Sequence, residues 1–400
     1  MQELFHTLSN DLKVLEEKSL YRSRLTVEAT EGMEVIVAGT SLLAFNSNDY
    51  LGHANHPTVK NAFIKAAQRW GVGSGSAHLV TGHTAAHHEL EETLADLTGR
   101  QRALLFSSGY MANLALLTSF SAKGDHLYQD RLNHASLIDA GKLSAAKSHR
   151  YQHADPESLQ RMIQADENTT NGNGSINMIV SDGVFSMDGD IAPLTALAEL
   201  ADDNDALLAV DDAHGIGVLG AHGAGSIQRA GLSAQQVPLL MGTLGKALGT
   251  AGAFIAGDEV LIEALIQKAR SYIYTTAQPA AVAAATTSSV KLLATESWRR
   301  EHLDALIKHF RSGVAQLGLT LMPSETAIQP LIAGSSQQAL AWSEQLRAAG
   351  ILVSAIRPPT VPQGTARLRI TLSASHSIEQ VDRLLEALSQ LKPDAEMGAA

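Results

Sequence analysis

The chain has 400 residues, 45% of them hydrophobic, which suits roughly two to three domains with a sizeable core. Its 30 Lys and Arg against 41 Asp and Glu leave a net charge of −11, which argues against a nucleic-acid partner, because non-specific phosphate binding rests on excess cations. With no cysteine, it excludes disulfides, thiolate metal sites, iron–sulfur clusters and cysteine nucleophiles, and it fits a cytoplasmic location.

In chain order, residues 2–20 predict an amphipathic helix with Leu4, Leu8, Leu12 and Leu15 on one face. The N-terminus has no basic, apolar leader, so no targeting segment is expected. Residues 35–37 and 42–45 flank Ala38-Gly39-Thr40 as a hairpin. From residue 51, short apolar runs at 103–106, 176–180, 206–210, 238–241 and 253–256 alternate with helical patterns. Two examples are 88–97, stopped by Gly99, and 193–201, opened by Pro193. Such alternation implies βαβ units and a mostly parallel, buried sheet. Residues 169–175, Thr-Thr-Asn-Gly-Asn-Gly-Ser, read as a surface loop. Helical patterns follow at 258–270, 279–293 and 297–317. The Ala-rich run at 277–294 is broken by Pro279 and polar residues and is too weak for a membrane span. Strand patterns at 319–322, 328–333, 351–356 and 367–372, with helices at 337–348 and 378–391, predict a small α+β domain. Lys392-Pro393 should stop the last helix before a loose tail. The expected division is a helix-and-hairpin segment at 1–50, a large α/β domain at 51–293 and a small domain at 294–400.

Three short motifs do not carry their usual chemistry. Gly215-Ile-Gly217-Val-Leu-Gly220 matches G-x-G-x-x-G, but a poor helix former follows and no acid lies between Asp212 and Asp258 for a ribose. Gly242-Thr-Leu-Gly245-Lys246-Ala247 lacks the spacing and the Ser/Thr of a P-loop. His83, His87 and His88 offer two imidazoles at i, i+4 but no evident third ligand, so no metal is expected.

Three features remain. Asp211 ends a buried strand with His214 three residues on, and strand ends are where open α/β sheets bind ligands. Lys246 lies in the glycine-rich turn 243–252. Ser107-Ser108-Gly109-Tyr110 joins a strand to a helix, where free N–H groups suit a phosphate. Singly, each has a plainer reading, as a surface turn, a helix cap or a chance pair. Together they are the parts that hold pyridoxal 5'-phosphate: a Schiff-base lysine, a carboxylate to keep the ring nitrogen protonated, and a phosphate cradle.

At these residues the sequence resembles the α-oxoamine synthases, enzymes of the fold-type I (aspartate aminotransferase-like) class, over about 20–391. The matching stretches are 46–52, 106–113, Asn133-His134-Ala135-Ser136, 183–190, 211–215 and 243–252. The run 356–369, Ile-Arg-Pro-Pro-Thr-Val-Pro-Gln-Gly-Thr-Ala-Arg-Leu-Arg, is characteristic of the branch serving biotin biosynthesis. The resemblance implies a seven-stranded, mostly parallel sheet domain with a smaller α+β domain, and a homodimer with its site between subunits. It implies a decarboxylative condensation of L-alanine with pimeloyl-CoA or pimeloyl-[acyl-carrier protein], the neighbouring possibility being glycine with acetyl-CoA. It makes Lys246 the Schiff-base lysine and general base, Asp211 the partner of the ring nitrogen, and His214 a partner of the cofactor's phenolic oxygen. His134 would stack on the ring and contact substrate, and Ser186 would touch the cofactor. Gly109, Tyr110 and Thr243 would hold the phosphate, with Thr275 or Thr276 reaching over from the second subunit. Arg22, Thr360 and Arg369 would bind substrate. Two places depart from the pattern: Asp182 stands where Glu is common, and the loop Gly73-Ser-Gly-Ser-Ala-His78 replaces the more usual Gly-Ser-Gly-Gly-Ser.

Overall fold

The computed structural model describes residues 1–167 and 177–391. The expected loop at 169–175 and the stop at Lys392-Pro393 lie outside the described residues. The chain forms two compact units: one of residues 1–47, 187–189 and 302 onward, the other of 48–186 and 190–301.

The first unit begins with α1, Gln2–Glu17, none of whose residues is buried. The predicted helix forms, but Leu4, Leu8, Leu12 and Leu15 lie open, 39–59% exposed. Strands β1 (Ala29–Glu31), β2 (Glu34–Val37) and β3 (Thr40–Ala44) follow. Val37 pairs with Thr40, leaving a two-residue turn of Ala38 and Gly39 at φ 49° and 73°, the conformation a tight right-twisted hairpin requires.

The second unit contains α2 (Pro57–Trp70), α3 (Ala85–Thr98), β4 (Arg102–Phe106), α4 (Gly109–Phe120), β5 (His126–Asp130), α5 (Ala135–Leu143), β6 (Lys147–Tyr151) and α6 (Pro156–Glu167). It continues with β7 (Asn177–Asp182), α7 (Leu194–Asp203), β8 (Ala206–Asp211), α8 (Ser226–Arg229), β9 (Leu239–Thr243), β10 (Ala253–Gly257), α9 (Glu259–Lys268), α10 (Arg270–Ile273) and α11 (Ala280–Thr295). Its seven strands lie in the order β4-β10-β9-β8-β7-β5-β6. β6, β5, β7, β8 and β9 run parallel, and β10 is antiparallel to both its neighbours. Five strands coincide with the predicted apolar runs. β5 and β6, His-Leu-Tyr-Gln-Asp and Lys-Ser-His-Arg-Tyr, were not predicted, because they are polar. β5 is fully buried all the same, its Gln129 amide donating to Ser148 Oγ (3.1 Å) on β6, while β6 is an edge strand with mostly open side chains. Leu104, Leu117, Leu127, Val180 and Ile255 belong to the core against which α4, α5 and α9 pack.

The rest of the first unit consists of α12 (Trp298–Gln316), β11 (Ile328–Gly334), α13 (Ser336–Ala348), β12 (Ile351–Leu352), β13 (Ser354–Ile356), β14 (Ala366–Thr371) and α14 (Ile378–Ser389). Two sheets form, β1-β2-β3-β12 and β11-β14-β13. Two predicted strands are corrected. Residues 351–356 split around buried Val353, β12 pairing parallel with β3 and β13 antiparallel with β14. Residues 319–322 reduce to one bridge, Leu321 to Leu331, because Gly318 at φ 69° and Pro323 leave no room for a ladder. Among the described residues no helix is long and apolar enough to cross a membrane.

Candidate active site

Sheet register places the chemistry. Asp182 ends β7 directly beside Asp211, which ends β8, and Asp211 lies beside Met241 of β9. Above these ends is a cavity of about 210 Å³ whose walls include Gly109, Tyr110, His134, Ser186, Asp211, His214, Thr243 and Lys246. Eight residues singled out from the sequence thus meet in one place.

Lys246 is held by a folded-back loop between β9 and β10. Leu244 N donates to Gly252 O (2.9 Å) and Gly249 N to Lys246 O (2.8 Å). Gly249 sits at φ 65°, where a Cβ would lie 2.2 Å from Ala54 N, so no other residue can make this turn. Lys246 Nζ is 2.8 Å from His214 Nε2, and His214 Nδ1 is 2.6 Å from the Tyr50 hydroxyl. Tyr50 and His214 are both buried, so the ring nitrogens of His214 are tied at both ends.

Asp211 is buried and doubly held. Its Oδ2 accepts from Asn113 Nδ2 (2.7 Å) and its Oδ1 from Ala213 N (3.0 Å). Asn113 Nδ2 also donates to Ser136 Oγ (2.8 Å). His134 caps α5, its Nδ1 2.6 Å from Ser136 Oγ, and its backbone N donates to Asp182 Oδ2 (2.9 Å). Burial pushes the His134 imidazole below its usual range, Lys246 adding to this and Asp211 opposing it. Burial, and then the Asp211 charge, push the Asp182 carboxyl well above the carboxylate range. Next to Asp211, burial pushes Asp212 up to about 7 although Ser226 N donates to its Oδ2 (2.6 Å). A Cβ at Gly215 or Gly225 would lie within 2.1 Å of that carboxylate.

At the other end of the cavity, Ser108 caps α4 by accepting from Met111 N (3.3 Å), which leaves the first-turn amides of Gly109 and Tyr110 facing outward from the helix start. The residues fit pyridoxal phosphate. A primary amine on Lys246, the buried carboxyl groups of Asp211 and Asp182, and the start of α4 border the same cavity. Asn113 Oδ1, buried there, has no donor among the described residues.

Sequence reasoning assigned no role to Asn113, Tyr50 or Ser136. All three lie inside the matching stretches; Ser136 meets His134 two residues away, but the bonds of Asn113 to Asp211 and of Tyr50 to His214 have no local signature. Thr275 and Thr276 follow α10 and are not among the cavity's lining; Thr276 O accepts from Ser107 Oγ (3.4 Å). The substrate candidates other than His134 belong to the first unit. Arg22 Nη2 donates to Thr360 Oγ1 (3.4 Å), and both line a groove of about 630 Å³ with Tyr21, Ser354 and Arg357. Arg369, on β14, is buried outside that groove and donates to Thr371 Oγ1 (3.1 Å).

Residues 40–388 match the family described as aminotransferase class I and II. An 8-amino-7-oxononanoate synthase of Pseudomonas putida is 59% identical over 378 residues, which are 94% of this chain and 95% of the relative. Among solved structures, a serine palmitoyltransferase from S. paucimobilis with a bound PLP–myriocin aldimine superposes at a TM-score of 0.90, with 28% identity and 97% of each chain covered. An 8-amino-7-oxononanoate synthase from Francisella tularensis superposes at 0.74, with 32% identity over 87% of this chain and 97% of the other.

Proposed function

The chain belongs to the 8-amino-7-oxononanoate synthases, pyridoxal-phosphate-dependent acyltransferases of the class I and II aminotransferase family, and we propose that it condenses L-alanine with a pimeloyl thioester, releasing thiol and carbon dioxide. The observation that carries this reading is the single cavity shared by Lys246, Asp211, His134, His214 and the start of α4. Pyridoxal phosphate bound there supplies an aldehyde for amines and a ring that draws electrons from the substrate's Cα.

In this reading Lys246 is the amine that holds the cofactor and, once displaced by alanine, takes the proton from Cα. His214, 2.8 Å away, receives a hydrogen bond from that Nζ and fixes its direction, with Tyr50 fixing the imidazole in turn. Asp211, buried at the end of β8, is the partner of the ring nitrogen. Burial and the neighbouring Asp211 raise the pKa of Asp182, which favours its protonated form and eases repulsion between the two adjacent acids. Asn113 and the Ala213 amide hold Asp211 in one orientation. The lowered pKa of His134 keeps its ring neutral, which suits stacking on the cofactor and lets it donate to a substrate oxygen. Ser186 completes the cofactor's polar surroundings. The amides of Gly109 and Tyr110, with Thr243, hold the phosphate, joined by Thr275 or Thr276 of a second subunit in a cytoplasmic homodimer. Arg22 and Thr360 receive the terminal carboxylate of the pimeloyl chain, and Arg369 the α-carboxylate of alanine, because a planar guanidinium matches a carboxylate bidentately.

The deciding experiment crosses a panel of amino acids with acyl thioesters and reads thiol release. L-alanine with pimeloyl-CoA or pimeloyl-[acyl-carrier protein] should give the highest kcat/KM. Preference for glycine with acetyl-CoA would overturn the substrate assignment, and a colourless protein that pyridoxal phosphate cannot reconstitute would overturn the site.

A further inference from the structure

The second unit contains a cluster of metal-ligating side chains that this reaction does not use. His126 opens β5, His149 is central in β6 and Asp166 lies in the last turn of α6. The parallel register of β5 and β6 sets Tyr128 beside His149, and the rings of His126 and His149 stack with centroids 5.3 Å apart. Three ligand atoms converge. His126 Nδ1 is 3.2 Å from His149 Nε2 and 3.4 Å from Asp166 Oδ2, and His149 Nε2 is 3.1 Å from that same oxygen. A tetrahedral ion with bonds of about 2.0–2.1 Å spaces its ligands roughly 3.3 Å apart. The observed triangle straddles that spacing with no rearrangement.

The surroundings are those of a built site. The three side chains are only 6%, 16% and 11% exposed. The second oxygen of Asp166 is fixed by Lys147 Nζ (2.8 Å), and the Tyr128 hydroxyl donates to Oδ2 (3.2 Å), so the carboxylate cannot rotate freely. The histidine cluster noticed in the sequence is looser. His83 and His88 gain Glu91 as a third group, but His83 Nε2 and Glu91 Oε2 are 3.8 Å apart.

We propose that His126, His149 and Asp166 bind one divalent cation of the zinc class, with water in the fourth position, tying α6 to the β5–β6 edge. Two imidazoles and a carboxylate in tetrahedral array favour zinc over magnesium or calcium, which want more oxygen ligands. His126 stands at the opposite end of β5 from the turn that carries His134, roughly 13 Å along the strand at about 3.3 Å per residue. The ion therefore stabilises the fold and takes no part at the reacting atoms.

The same three atoms can instead share only hydrogens, both imidazoles donating to Asp166, and the test separates the two. Holoenzyme freed of metal by a chelator is titrated with Zn²⁺ by calorimetry and with Co²⁺ by visible absorption. One saturable equivalent per chain is expected, with the intense bands of four-coordinate cobalt and a Tm that rises with zinc concentration. His149→Ala and the gentler His126→Gln should each weaken binding by more than about tenfold to a hundredfold. The cofactor's visible band and near-ultraviolet dichroism report that each variant remains folded. His88→Ala should leave the equivalent intact. The proposal is overturned by the absence of a saturable equivalent, by its survival in both His149→Ala and His126→Gln, or by its loss in His88→Ala.

Discussion

The cavity around Lys246 and the groove around Arg22 solve different problems with different materials. In the cavity, the carboxylate of Asp211 is buried and fixed by two hydrogen bonds of 2.7 and 3.0 Å, and Lys246 is part of a buried chain through His214 to Tyr50. In the groove, Arg22 is exposed and makes a long 3.4 Å bond to a threonine, and Arg357 donates to the backbone oxygens of Ser19 and Tyr21. Fixed charges in a dry site are worth most where charge develops during reaction. Long cations at an open groove select a partner at modest cost per contact. Substitutions in the cavity should therefore damage every substrate alike, whereas substitutions in the groove should damage one.

The largest effect is expected from Lys246→Ala, which should abolish turnover, because no other group supplies the amine; normal rates without an added amine would break the comparison at its first term. Asp211→Asn should keep the fold and slow exchange of the Cα proton of L-alanine by about 10²–10³-fold, the loss seen when one preorganised charge partner is removed. Exchange at the parent rate would remove Asp211 from its place opposite the ring. Asn113→Ala sharpens the contrast, since it touches no substrate in this reading. Losing a bond to a charged group of about 1.5–3 kcal/mol should lower kcat/KM roughly ten- to a hundredfold for alanine and acyl thioester together. Arg22→Ala should cost a similar factor for the pimeloyl thioester alone, with alanine binding, followed through the cofactor's visible spectrum, nearly unchanged. Equal damage to both substrates would erase the distinction between the two regions.

The smallest effect concerns stability. Asp212 has a folded pKa of about 7 against an ordinary 3.8, so it favours the folded state when protonated, and that contribution is lost as pH rises toward 7. Buried histidines act in the opposite sense: burial lowers His53 and His376 to about 4, so their contribution is lost on acidification. Comparing Asp212→Asn with the parent cancels the histidines. The variant's relative stability in urea should grow between pH 5 and 7 by at most about 1.4 kcal/mol per pH unit, then level off. A gap independent of pH would show that Asp212 is not the titrating group.

How much of this was legible follows from distance along the chain. Apolar runs such as 206–210 and 253–256 betray buried strands by themselves, and Asp211 with His214 directly follows one of them. β5 escaped because its buried polar side chains are satisfied by neighbours that no local window contains, and β6 because, as an edge strand, it leaves most of its polar side chains open. Asn113 meets Asp211 across 98 positions, Tyr50 meets His214 across 164, and Arg22 meets Thr360 across 338. Only the resemblance brought Arg22 and Thr360 forward together, and it grouped Arg369 with them although the groove does not include it. The leucine periodicity of α1 identified an apolar face but not what covers it. The sequence drew the eye to His83, His87 and His88 because they are neighbours, while the tighter triangle of His126, His149 and Asp166 is scattered over three elements.

The antiparallel strand β10 has a consequence for how the molecule is made. β4 is the first strand of its sheet to leave the ribosome, yet its one partner is β10, the last. Roughly 150 residues separate Phe106 from Ala253, about 7 to 30 seconds of synthesis at about 5–20 residues per second. Throughout that interval the apolar run Ala-Leu-Leu-Phe lacks the strand it pairs with in the folded sheet, and an unpaired apolar edge invites association with other chains. The turn that follows it, with Gly109 and Tyr110, cannot take its place at the cavity until the loop carrying Lys246 has also been translated. The nascent chain therefore has no half-built site to load before β10 is made, with α9 to α14 still to follow.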